Sequence, residues 1–296
     1  EMLRSLVGSE MCIRDSNNIM MKSPPKVMTF SATDPTGGAG LQADVLTISS
    51  LRCHPVSIAT GFTVQDTNGV KKLIPINSEL VNDQARLILA DTKVEIFKLG
   101  LLSSKENIVT IAEIISDYPD IPLVIDPVLA SGRGDEFSDI EARHLMMELL
   151  FPKSLLITPN SIEARRFSTN KEEISDVSIQ VCVDRFKEMG CENILITGTH
   201  ENTENVINTL YSASNLIIPY HWDRLPGNYH GSGCTLTAAI CAYYALGLSI
   251  GEAIEEAQNF TWQTLRSGFK IGTGQLIPNR FFQVNDVEGD GKVTRH

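Results

Sequence analysis

Apolar residues along this chain come in two alternating kinds of run. Short stretches that are apolar at nearly every position cover 27–30, 56–60, 96–99, 123–125, 155–158 and 194–197. Between them, over 40–51, 79–90, 105–116, 139–150 and 177–189, apolar residues return every three or four positions. The first kind predicts strands buried on both faces, because a strand with one wet face would alternate. The second kind predicts helices with one buried face. Strands and helices alternating in this way predict a parallel sheet covered by helices on both sides. Two later strand-like runs, 206–211 and 216–219, are split by Ser212-Ala213-Ser214 and predict a hairpin at a sheet edge. Helices over 235–246 and 250–268 follow. No internal repeat or long linker divides the pattern, so one α/β domain is expected.

In such sheets ligands bind beyond the carboxyl ends of the strands. The segments expected there, 31–40, 61–69, 100–102, 126–134, 159–163 and 198–200, hold the unusual residues of the chain. The most specific segment lies further on, at Tyr229-His230-Gly231-Ser232-Gly233-Cys234. Its two glycines let backbone amides converge. A helix pattern (Leu236, Ala239, Ile240, Tyr243, Leu246) starts directly afterwards. Unpaired N–H groups and the positive helix end then face one way, which suits an anion. Cys234 sits at that end, where a thiol is expected to ionise more readily. An anion cradle beside a base points to phosphoryl transfer to a hydroxyl. His230 is either a second base or the residue that orients the turn.

Other rim residues carry two readings each. Asp34 to Gly40 is a glycine-rich turn without the Gly-Lys-Ser/Thr of a phosphate-binding loop. Asp44, one helical turn later, either faces the rim or is a solvated acid near a helix N-terminus. Gln65 could pair with the edge of a heterocycle, or belong to a polar loop closed by Asn68-Gly69. Asp126 ends a strand. Asn160 and Glu163 have the spacing of a capping box, and their oxygens also suit a hard cation such as Mg2+. Trp222 and Tyr229 are expected to pack.

Charge and cysteine usage narrow the class. The 296 residues carry 25 Lys+Arg against 36 Asp+Glu, a net charge of −11, with no basic stripe, so nucleic acid is not an expected partner. Phosphate must then be held locally, by amides, a metal and a few cations. The six cysteines (Cys12, Cys53, Cys182, Cys191, Cys234, Cys241) form no CxxC pair or zinc spacing, which fits a reducing cytoplasm. No apolar run reaches the length of a membrane span. Residues 1–16 read as a translated adapter or cloning artefact, with the native start expected at Met20 or Met21. That makes 1–19 a leader, 20–283 the domain and 284–296 a disordered tail.

Taken together, the segments Ser31 to Asp44, Lys98-Leu99-Gly100-Leu101-Leu102, Asp126-Pro127-Val128, Thr158 to Ala164 and His230 to Leu236 resemble a known family. It is that of the hydroxymethylpyrimidine/phosphomethylpyrimidine kinases of thiamine biosynthesis, in the ribokinase-like superfamily. Order and spacing agree from Val27 to Phe281. The resemblance implies a central, mainly parallel sheet flanked by helices. It implies ATP- and Mg2+-dependent phosphorylation of 4-amino-5-hydroxymethyl-2-methylpyrimidine and of its monophosphate by a cytoplasmic homodimer. It makes Cys234 the base, and the amides of Gly231, Ser232, Gly233 and Cys234 the anion hole. Ala32, Ala39, Asp44, Gln65, Leu101 and Val128 match positions around the pyrimidine. Asp126, Asn160, Thr197 and Thr199 match the nucleotide side, and Asn160 and Glu163 the metal site.

There are two departures. Gln65 stands where some relatives have Glu. Thr197-Gly198-Thr199-His200 stands where many read Lys-Gly-Gly-His, which removes a positive charge near the phosphates. Lys98 is the candidate replacement unless it is structural. The alternatives are a pyridoxine/pyridoxal kinase and a non-catalytic pyrimidine-binding protein. A cysteine-nucleophile hydrolase is disfavoured, because no His/Asp partner set accompanies Cys234.

Overall fold

The computed structural model describes residues 23–129, 139–169 and 177–285. The expected leader at 1–19, the tail beyond 285 and positions 130–134 of the fourth rim segment lie outside the described residues. The strands are β1 (Lys26–Thr33), β2 (His54–Asp66), β3 (Gly69–Pro75), β4 (Ile96–Leu99), β5 (Leu123–Ile125), β6 (Leu156–Ile157), β7 (Ile194–Ile196), β8 (Asn205–Tyr211) and β9 (Ile217–Asp223). They form one sheet in the order β3-β2-β1-β4-β5-β6-β7-β8-β9. From β2 to β7 every pairing is parallel. The edge strands β3, β8 and β9 pair antiparallel. The hairpin expected at 206–219 is β8–β9.

Register explains the two cores. Ile58, Phe30, Leu99, Ile125 and Ile157 lie side by side across five strands and point to one face. That face is covered by α2 (Ser78–Asp91), α3 (Lys105–Asp117), α4 (Ile140–Leu149), α5 (Ser161–Ser168) and α6 (Ile179–Glu188). One residue out of phase, Val27, Ile96, Val124 and Leu156 point to the other face. There they meet α1 (Gly40–Ser50), α7 (Ser232–Ala245) and α8 (Ile250–Arg266). A short α9 (Phe282–Asn285) closes the described chain. Helix α7 is buried continuously from Thr235 to Ala242, lying between the sheet and α8. A helix enclosed on every side carries no polar stripe.

One expectation is corrected. Residues 61–69 do not form a rim loop. Strand β2 runs on to Asp66, turns at Thr67-Asn68 and returns as β3, so Thr63 and Gln65 lie on a β-ribbon. The Asp66 carboxylate accepts the Asn68 and Gly69 N–H groups and closes the turn. Beyond Gly61 the β2 arm of the ribbon alternates exposed and half-buried positions, unlike the strands of the sheet centre.

Candidate active site

Two glycine turns meet at the carboxyl rim. The first leaves β1 at Asp34 and enters α1. The Asp34 carboxylate accepts the Thr36 N–H (2.8 Å), the Thr36 hydroxyl (2.9 Å) and the Ala39 N–H (2.7 Å). The His230 Nε2 lies 2.9 Å from the same group and so ties in the second turn. Burial alone would raise the Asp34 pKa. Hydrogen bonds from His230, Gln65 and the two amides outweigh it and hold the group well below the usual carboxylate range. His230 therefore has the turn-orienting role, and Gln65 sits beside Asp34. The turns touch through backbone: a Cβ on Gly231 would collide with the Gly38 carbonyl oxygen, and one on Gly38 with the His230 ring. Gly231 also has φ 80°, a conformation that glycine adopts freely.

Gly231 is the N-cap of α7 and offers no side-chain cap. The first backbone bond of the helix is Thr235 N–H to Gly231 O, 3.0 Å. Among the described residues the amides of Ser232, Gly233 and Cys234 meet no acceptor, as an anion site requires. Asp126, at the end of β5, faces this cradle. It is 5% exposed, and its Oδ2 is buried without a partner. The Cys234 thiol lies close enough for the two groups to perturb each other's ionisation. Burial and the neighbouring Asp44 raise the Asp126 pKa to about 6, against the opposing pull of Lys98 and Cys234.

The expectation of an easily ionised Cys234 is overturned. Burial, Asp126 and Asp44 push the thiol up to about 12, although Lys98 and the Gly40 N–H act the other way. A helix terminus contributes about 0.3–1 kcal/mol, less than one pKa unit. Two nearby carboxylates and lost solvation exceed that.

Asp44 and Lys98 form a buried ion pair. Both side chains are fully buried. Lys98 Nζ lies 2.9 Å from each Asp44 oxygen, and the Thr29 hydroxyl donates to Asp44 at 2.6 Å. Burial alone would lower Lys98, but Asp44, with Cys234 and Asp126 behind it, holds the ammonium above its ordinary value. The charge of Asp44 is felt by Cys234 and Asp126 at the cradle. Lys98 is committed to Asp44 and does not replace the charge missing at Thr197.

Asn160 and Glu163 do form the capping box of α5. Asn160 Oδ1 accepts the Ile162 and Glu163 N–H groups, and Glu163 Oε2 accepts the Asn160 N–H at 2.9 Å. Burial and the charge of Asp126 raise Glu163 to about 8. Asn160 bridges to Thr197 on the neighbouring chain end, and Ser161 N–H donates to Thr197 O. Thr199 is exposed, and Arg224 holds its carbonyl together with those of Glu201 and Thr203. Among the described residues no three carboxylate, thiol or imidazole groups converge as a metal cage. Two crowded carboxylates, one with a bare oxygen, nevertheless suit a hard cation that completes its shell with phosphate and water.

Ala32 is buried, with its N–H on Leu101 O at 2.9 Å; Leu101 is buried, while Ala39 and Val128 are half-buried at the rim. A cavity of about 180 Å³ opens between Gly100, Leu102, Ser103 and Val128. A larger one, about 580 Å³ and lined by His144, Phe167 and Arg185, contains none of the rim residues.

The sequence pattern missed the segment 272–280. Its Gln275 and Gly274 N–H groups bond Thr67 O and Thr67 Oγ1, which pins the tip of the β2–β3 ribbon. Leu276 then pairs alongside Tyr229. Arg280 ends the strap, with Nη2 2.6 Å from Gly38 O and Nε 3.1 Å from Thr235 Oγ1. No local periodicity signals it.

A mainly parallel sheet with a bared helix N-terminus at its carboxyl rim is the architecture of ribokinase-like phosphotransferases. The fold is shared with the ADP complex of Bacillus subtilis pyridoxal kinase (TM-score 0.78, 26% identity, 87% of this chain and 98% of that one). It is also shared with phosphomethylpyrimidine kinase from Clostridium difficile (TM-score 0.69, 28% identity, 81% and 99%). The sequence model of the phosphomethylpyrimidine kinase family matches residues 34–279, and the chain belongs to that family. It is 32% identical over 268 residues to the hydroxymethylpyrimidine/phosphomethylpyrimidine kinase of Mycobacterium bovis, covering 89% of this chain and 96% of that protein. It is also 32% identical over 261 residues to the thiamine biosynthesis bifunctional protein ThiED of Geobacter sulfurreducens, covering 88% of this chain and 53% of that protein. The chain thus spans about half the length of the bifunctional protein.

Proposed function

We propose that this chain transfers the γ-phosphoryl group of ATP to 4-amino-5-hydroxymethyl-2-methylpyrimidine, and then a second phosphoryl group to the monophosphate. The observation that carries this reading is the bared N-terminus of α7, with Cys234 and Asp126 side by side at its mouth. The amides of Ser232, Gly233 and Cys234 hold charge on the transferring group. The substrate hydroxyl approaches the Cys234 sulfur. The neutral thiol passes its own proton to the neighbouring Asp126 carboxylate as it takes the hydroxyl proton, and no free thiolate is required. Gln65, fixed beside Asp34, offers its amide to the aminopyrimidine edge, with Ala39, Leu101 and Val128 around the ring. Asn160, Glu163 and Thr197 lie on the nucleotide side. Glu163, with Asp126 near it, would hold Mg2+, which when bound supplies positive charge to the phosphate oxygens.

We place the enzyme in the cytoplasm, in keeping with the free thiols at all five described cysteines. We also propose a homodimer that covers exposed Phe62, Val64 and Ile74 on the β2–β3 ribbon. Light scattering checks the mass.

The deciding experiment is a coupled ATP-turnover assay with the pyrimidine, its monophosphate and pyridoxal in parallel. A higher kcat/KM for the two pyrimidines supports the reading. Preference for pyridoxal transfers the assignment to the second reading, which the fold shared with pyridoxal kinases motivates. Ligand binding with no turnover of any of the three overturns both.

A further inference from the structure

Arg280 is 3% exposed, and its guanidinium is spent on neutral acceptors. Nη2 donates to Gly38 O (2.6 Å) and Thr235 Oγ1 (2.9 Å), Nη1 to Gly37 O (3.1 Å) and Nε to Thr235 Oγ1 (3.1 Å). Among the described residues no carboxylate makes an ion pair with it. The two carboxylates whose fields reach it, Asp44 and Asp34, are engaged elsewhere, Asp44 by Lys98 and Asp34 by the backbone amides and hydroxyl of its own turn and by His230. A buried cation is normally paired, because lost hydration is otherwise uncompensated. Burial pulls Arg280 down to about 10, so it is still charged at neutral pH. Cys234, at the mouth of the cradle, is its other titratable neighbour. One guanidinium thus grips the carbonyls of the first glycine turn and the first-turn threonine of α7, and places one positive charge behind the anion site.

We propose that Arg280 is a positioning residue of phosphoryl transfer, holding the two glycine turns in register and setting a fixed positive charge behind the α7 cradle. This rests on the kinase reading above. It also bears on the charge lost at Thr197: Lys98 is ion-paired with Asp44, whereas Arg280 makes no ion pair and its charge lies behind the cradle. The field of a fixed cation in a dry site costs no reorganisation when charge develops there.

The test compares Arg280→Lys with Arg280→Gln. Both lose most of the hydrogen bonds, but only lysine keeps the charge. Wild-type turnover with the pyrimidine is the control, and its absence would sink the kinase reading rather than this one. With turnover present, Arg280→Gln should lose about 10- to 100-fold in kcat, less than the roughly 100- to 1000-fold cost of losing a donor that touches the developing charge directly. Arg280→Lys should recover most of that loss while melting no higher than the glutamine variant. A glutamine variant with wild-type kcat and KM for ATP overturns the inference, as does an equal kcat loss in the two variants. Should Arg280→Gln fail to fold, the lysine variant decides alone. A kcat within about fivefold of wild type, despite a lowered Tm, supports the charge role. A loss beyond about 100-fold at an unchanged Tm refutes it.

Discussion

Replacing Lys98 with methionine isolates the buried ion pair beneath the site. The substitution keeps the length of the side chain and deletes its charge, leaving Asp44 fully buried with the Thr29 hydroxyl as its hydrogen-bond donor. Removing one member of a buried pair costs about 3–5 kcal/mol, a large part of the ~5–15 kcal/mol that stabilises a typical domain. The cost depends on pH, with a definite sign. In the variant, Asp44 loses the ammonium that opposes its burial and binds a proton more readily, so its folded pKa, already raised by burial, rises further above the unfolded value of about 3.9. A carboxyl protonated when folded and ionised when unfolded loses stability as pH rises, at about 1.4 kcal/mol per unit, until the folded pKa is passed. The deficit should therefore be small near pH 5 and grow by up to about 4 kcal/mol by pH 8. Urea unfolding followed by the fluorescence of Trp222 and Trp262 measures it at both pH values. The double variant Lys98→Met/Asp44→Leu should recover most of the loss. A deficit under about 1 kcal/mol at pH 8, a deficit independent of pH, or additive losses in the double variant would refute the argument.

Gly231→Ala should lower stability by at least about 2 kcal/mol, because it combines a left-handed φ with a clash against Gly38 O; thermal melting at the wild-type Tm would contradict this. With its thiol pushed up to about 12, Cys234 should react with iodoacetamide on the order of 10³-fold more slowly than a free cysteine at pH 7.5. Mass spectrometry of the alkylated peptide reads the rate, and fast labelling would restore a resident thiolate. Glu163→Gln should raise the Mg2+ concentration needed for half-maximal turnover, whereas an unchanged titration leaves Glu163 as a helix cap alone. Under either outcome Asn160→Ala should cost about 1 kcal/mol through loss of the cap.

How much of this was legible in the sequence depended on the range of the forces involved. Strands β4 and β5 were readable to the residue, because a strand buried on both faces is apolar throughout. The β2–β3 ribbon was not, because it leaves the sheet centre, and its exposed Phe62, Val64 and Ile74 mimic core residues. The turn at Gly231 was legible because close backbone approach and a positive φ both select glycine. Cys234 shows the limit. The helix end that lowers its pKa is adjacent in sequence, but the carboxylates that raise it come from β5 and α1. Lys98 sat inside an apolar run with no hint that its partner was 54 residues earlier. Arg280 had no pattern at all, since its contacts lie 45 residues away at Thr235 and more than 240 away at Gly37 and Gly38.

The strap at 272–280 also sets an order of events. A ribosome releases the glycine turn at Gly37-Gly38 some 242 residues before the arginine that clamps it. Domains begin to fold while still emerging. Strands β1 to β7 and the helices between them can therefore pack around the first core long before the rim is closed. Through that interval the carbonyls of Gly37 and Gly38 are satisfied by water, and the ribbon tip at Thr67 has nothing to latch onto. A chain stopped just upstream of Leu276 would keep the buried residues of both cores and lack the clamp that holds the two glycine turns together.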